Sequence, residues 1–90
     1  MSAPRELSDS LRVVALTADR LLSPSFPYAT VVLGDDDRVV FSASYRDRAT
    51  ARRVVTRKTT TETRGFVAVH ARDCVAVFSG DWHLLGTQSV

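Results

Sequence analysis

Six of the twelve basic residues of this 90-residue chain fall within Arg46–Lys58, RDRATARRVVTRK, where Asp47 is the only acid. The segment therefore carries +5 in a chain of net charge +2, which leaves −3 for everything else. Wound as a helix from Asp47, it places Ala51, Val54 and Val55 on one stripe, with Lys58 snorkelling at its edge. Arg48, Arg52, Arg53 and Arg57 spread over the opposite half. Arg48–Arg52 and Arg53–Arg57 are like-charge pairs at i, i+4, each costing a few tenths of a kcal/mol in a free helix. A phosphate backbone would relieve that repulsion by neutralisation and counterion release, and so would an acidic protein partner. The plainer alternative is a solvated helix face. Eleven of the twelve basic residues are Arg, a bias that a GC-rich genome also writes.

Other residues with reactive or ligating side chains point less far. Asp35-Asp36-Asp37 lacks the spaced oxygen ligands and terminal Glu of a calcium loop, and reads as a solvated turn. His70, Cys74, Asp81 and His83 are the one cluster of ligand-type side chains, but their spacing matches no standard zinc site. A Cys–His dyad needs both groups within hydrogen-bond reach on one side. With a two-residue turn at Arg72-Asp73, His70 and Cys74 project from opposite faces of a hairpin, so the dyad fails. Trp82, the lone tryptophan, reads as a residue that closes the core, with stacking on a partner as the sharper alternative. No Gly-rich phosphate loop, nucleophile elbow or paired carboxylate is present. The expectation is a non-enzymatic protein with no metal and no cofactor.

The elements that must position these residues follow from periodicity. Residues 4–22, at 100° per residue, gather Leu7, Leu11, Val14, Ala15, Ala18, Leu21 and Leu22 into an arc of about 120°. Pro4 suits the first turn, Ser2 could cap it, and Pro24 ends it. Val13 and Leu16 point away from that stripe and are candidate oligomer contacts. Two strands, 28–33 and 38–45, flank the turn Gly34–Asp37. A four-residue loop pairs Val32 with Val39, Thr30 with Phe41 and Tyr28 with Ala43. The basic segment is then a helix fading near residue 58 at the Thr run, with a long strand from 50 to 63 as its rival. A second hairpin, 65–71 and 74–79, is apolar on both faces. It belongs in mid-sheet or under cover on both sides, helices covering one side and another subunit being the candidate second cover.

The order α-β-β-α-β-β predicts one small α+β domain over residues 1–90. Its expected form is a two-layer sandwich, an antiparallel sheet with helices on one face, with 80–90 a docked or frayed tail. One cysteine, no visible secretory signal and no apolar run near the roughly 20 residues of a membrane span suggest a cytoplasmic protein of a bacterium or its phage.

From Val31 to Val55, VVLGDDDRVVFSASYRDRATARRVV, the chain resembles the ββα repeat of the small YegP-like proteins, with Ser42, Tyr45, Ala49 and Ala51 at the matching places. It departs from them in lacking an Asn-Gly turn and a second helix after the second hairpin. The resemblance implies a dimeric ββα sandwich and no chemistry. The doubly apolar second hairpin, beside the absence of catalytic groups, makes the first functional expectation a regulatory module acting by protein–protein interaction as a homodimer. The alternative is nucleic-acid binding by the Arg46–Lys58 face through Arg48, Arg52, Arg53 and Arg57.

Overall fold

The computed structural model describes residues 4–89, with side chains from Asp9 onward. Ser2 and the side chain of Leu7 lie outside the described residues. Helix α1 (Pro4–Leu21) leads into β1 (Tyr28–Leu33), β2 (Val39–Tyr45), α2 (Arg48–Lys58), β3 (Arg64–Ala71), β4 (Cys74–Ser79) and β5 (Leu84–Ser89). The strands form one antiparallel sheet in the order β2-β1-β3-β4-β5. The expected α+β class and antiparallel sheet are present.

The layering is different from the expected one: the helices lie on opposite faces of the sheet. Side chains alternate across a strand, and the two faces carry separate cores. Leu11, Val14, Ala15 and Ala18 of α1 pack with Ala29, Val31, Leu33, Phe66, Ala68, Val75 and Val77. Ala51 and Val55 of α2 pack with Val67, flanked by Tyr28, Tyr45 and Trp82. The reason is space. Helix α1 contacts all five strands and fills its face, whereas α2 reaches only β1, β2 and β3. The two-layer sandwich is thereby corrected to three layers, with β1 buried on both sides.

The first hairpin is also shifted. Val32 pairs with Phe41, Thr30 with Ala43 and Tyr28 with Tyr45, two residues further along β2 than expected. A bulge leaves Val40 as the extra residue beside the Val32–Phe41 and Leu33–Val39 pairs. Val39 consequently turns to the α1 core, while Phe41 stays on the α2 side. The turn holds itself by Gly34 N–H to the Arg38 carbonyl at 2.7 Å, with Asp37 at φ 59°. Asp37 then ties three elements together. It accepts from the buried Ser10 hydroxyl of α1 at 2.8 Å and pairs with Arg64 at the start of β3. The acid run is thus a structural clasp at one of its three residues and solvated at Asp35 and Asp36.

The second hairpin has the expected register, Val69 with Ala76, Val67 with Phe78, His70 with Val75 and Ala68 with Val77. Its place is mid-sheet, between β1 and β5. The tail supplies β5. A turn at Gly80–His83, closed by Ser79 N–H to the His83 carbonyl at 2.9 Å, reverses the chain and swings Trp82 over the α2 face.

Candidate anion-binding face and aromatic cleft

The basic segment is helical from Arg48 to Lys58, and the rival long strand is absent. Asp47 sets its start: one carboxylate oxygen accepts from Thr50 N–H at 2.8 Å, the other from the Thr50 hydroxyl at 3.0 Å. These two bonds, then the charge of Arg53, hold the Asp47 carboxyl below its ordinary value. The far end closes at Thr59, whose N–H and hydroxyl both reach the Val55 carbonyl, at 3.0 and 2.6 Å. Between them Ala51 and Val55 are fully buried, and the buried Thr30 hydroxyl donates to the Ala51 carbonyl at 3.0 Å. The face that carries the arginines is therefore fixed by a cap, a buried stripe and one hydrogen bond from β1.

The six bases of the segment divide into two groups of three. Arg46, Arg48 and Lys58 lie over rings: Phe26 at 5.6 Å, Trp82 at 4.3 Å and Phe41 at 4.9 Å. Arg52, Arg53 and Arg57 are exposed, and among the described residues none of the three is within salt-bridge distance of an acid. Together with Arg48, Ala49, Thr56 and Trp82 they border a shallow groove of about 660 Å³. All four arginines singled out by spacing thus lie along one groove, and Arg48 differs from the rest in being seated on Trp82.

Beyond Arg48 the groove runs into a second hollow, a cleft of about 580 Å³ over the part of the sheet that α2 leaves uncovered. Tyr28, Val69, Phe78 and Trp82 line it, with Ser23, Pro24 and Pro27 from the α1–β1 loop, and with His70 and Arg48 at its margins. The Tyr28 and Trp82 rings stand 6.1 Å apart at 87°, and Phe78 leans on Trp82 at 5.2 Å and 54°. The Trp82 ring nitrogen is buried and has no hydrogen-bond partner among the described residues, where packing places the ring. Its backbone lies at φ 65°, a conformation a bulky residue adopts only when its surroundings hold it there. Sequence reasoning missed this cleft. The one signal was two aromatics beside two prolines in Pro24-Ser25-Phe26-Pro27-Tyr28, which periodicity reads only as a helix stop.

The remaining candidates are dispersed. His70 faces α1, where its Nε2 lies 2.9 Å from Asp19 Oδ1. Cys74 is on the opposite face of the hairpin, its thiol donating to the Ala71 carbonyl at 3.1 Å. Among the described residues no three His, Cys, Asp or Glu side chains gather as a metal site. Leu16 is half exposed, but Val13 is not a free surface residue as expected: it packs against the α1 core. No helix among the described residues is long and apolar enough to cross a membrane.

No family model, no curated protein and no solved structure matches this chain.

Proposed function

We propose that this protein is a non-enzymatic nucleic-acid-binding module whose contact surface is the arginine face of α2. The observation that carries the reading is the set of three exposed guanidinium groups, Arg52, Arg53 and Arg57, that share one groove and, among the described residues, make no salt bridge to a carboxylate. A rigid helix that presents like charges at i, i+4, with the Asp47 cap as the one acid of its segment, is stabilised by an external polyanion. Contacts of this kind go to phosphate and carry little base readout. Fluorescence anisotropy with labelled oligonucleotides at 50 and 200 mM salt tests it. Affinity falling about tenfold or more between the two salts supports several phosphate contacts. Replacing Arg53 and Arg57 together by Glu is expected to abolish binding with the fold intact. No binding in low salt removes the reading.

A second reading keeps the expected homodimer acting on a protein. It is favoured by β5, a free sheet edge whose six residues, Leu84–Ser89, include no charge and no proline. Such an edge lacks the usual guards against strand addition, and two antiparallel copies can pair with each other. Sedimentation at micromolar concentration tests it: a dimer that Thr87→Lys dissociates supports edge pairing, and a monomer throughout excludes it. The hairpin's two apolar faces no longer require a subunit, because α1 covers one and α2 with Trp82 partly covers the other.

A further inference from the structure

We infer that the Tyr28–Phe78–Trp82 cleft is a nucleobase pocket, which makes this module select single strands over duplex; the inference rests on the nucleic-acid reading above and deepens it. The groove and the cleft are continuous, since Arg48 and Trp82 border both. A chain whose phosphates follow Arg57, Arg53 and Arg52 toward Arg48 arrives at the mouth of the cleft. There the lining changes from guanidinium groups to aromatic and proline surface, with Arg48 as the arginine at the junction. That sequence of surfaces matches a nucleotide: an anionic phosphate joined to an uncharged planar ring.

The shape of the cleft suits a planar ring. Tyr28 and Trp82 meet at 87° and form a corner. The Trp82 ring already carries Arg48 and Phe78, so a base lies flat on Tyr28 and presents its edge toward Trp82, making stacked and edge contacts together. The volume, about 580 Å³, lies within the roughly 300–1,000 Å³ of ligand pockets. Its floor is built on β1, β3 and β4, one wall is the proline-bearing α1–β1 loop, and Trp82 of the β4–β5 turn is packed into the α2 core. Bases inside a duplex are stacked on one another and cannot enter such a corner. A single strand offers them at little cost, and base–aromatic stacking is worth about 1–3 kcal/mol per base. Duplex would gain only the phosphate contacts. An acidic peptide with an aromatic side chain is the competing occupant, but it needs its charges spaced to suit three arginines on one helix face, a regular spacing that a phosphodiester chain has by construction.

Trp82 is the one tryptophan of the chain, so its emission reports directly on the cleft. The experiment titrates the full chain with an oligo-dT strand and with a mixed-sequence duplex of the same length, reading anisotropy of the labelled nucleic acid and, separately, Trp82 emission. Expected are at least tenfold tighter binding of the single strand and quenching of Trp82 at the same midpoint. Val69→Phe, which fills the cleft from β3, is expected to lower single-strand affinity to the duplex level. Arg53→Glu with Arg57→Glu weakens both ligands alike. Equal affinities with Trp82 emission unchanged overturn the pocket and leave the phosphate reading standing. No binding of either nucleic acid overturns both. Quenching by a Glu- and Tyr-rich peptide but not by either nucleic acid assigns the cleft to an acidic protein and overturns the inference. The wild-type emission decides the matter even where Val69→Phe disturbs the fold.

Discussion

The guanidinium carbon of Arg48 sits 4.3 Å from the centroid of the Trp82 ring, joining the first turn of α2 to the turn before β5. This contact bridges residues 34 positions apart and puts a charge at the point where the arginine groove becomes the aromatic cleft. A double-mutant cycle of Arg48→Ala and Trp82→Leu, read by urea denaturation, is expected to show a coupling of about 0.5–1 kcal/mol, the range for partly exposed cation–π pairs. Strict additivity of the two substitutions means that the stacking carries no energy.

Asp47 predicts an acid-side loss of stability. Its folded-state value lies below that of the unfolded chain, about 3.9, so the charged cap stabilises the fold above that pH. The contribution is lost as pH falls through the lower folded value, within the window below about pH 4. Asp47→Asn keeps an acceptor for Thr50 N–H but cannot titrate. The melting temperature of the Asn variant is expected to fall less steeply from pH 4 to pH 2.5 than that of the parent. Parallel curves would show that the cap charge is not linked to folding.

Thr30 is polar, fully buried and central in β1, and its hydroxyl donates to the Ala51 carbonyl at 3.0 Å. Thr30→Val preserves shape and strand preference but removes that tie between sheet and α2. The expected cost is about 1 kcal/mol, since the Ala51 carbonyl keeps its place in the helix and no group is stranded without a partner. Hydrogen exchange of the α2 amides is expected to quicken more than that of α1. Uniform quickening would mean that the bond stabilises the whole fold rather than docking the helix.

Two glycines near Val55 should respond oppositely to alanine. At Gly65 an added Cβ would lie 2.1 Å from Thr59 Oγ1 and 2.6 Å from Val55 Cγ2, so the end of α2 must move. Gly65→Ala is expected to destabilise by about 1–3 kcal/mol, the usual range for overpacking. At Gly80 the nearest side-chain atom, Val55 Cγ1, is 3.7 Å away, an ordinary contact, and neither glycine has a positive φ. Gly80→Ala is expected to change the urea midpoint little. Equal effects would show that α2 is not seated on β3 as described.

Local pattern carried much of this molecule. The stripe of α1, the helical basic segment with Ala51 and Val55 inward, and the second hairpin with its register are all legible from periodicity and turn length, because each depends on neighbours within a few residues. The arginine face was legible for the same reason: once 48–58 is helical and its stripe is buried, Arg52, Arg53 and Arg57 must point outward. What the chain left open was decided by distant contacts. The side of the sheet on which α2 packs depends on α1 having already covered all five strands on the other face, and no local pattern in residues 48–58 encodes that. The bulge at Val40 depends on the turn geometry at Gly34–Arg38 and on Val39 finding the α1 core. The strand at 84–89 forms only because β4 offers a free edge. The cleft depends on Tyr28 meeting Phe78 and Trp82, which lie near each other but far from it in the chain, at one end of the α2 layer. Charge and amphipathicity are properties of a segment and can be read from it, whereas a concave surface is a relation between segments and exists only when the chain has folded.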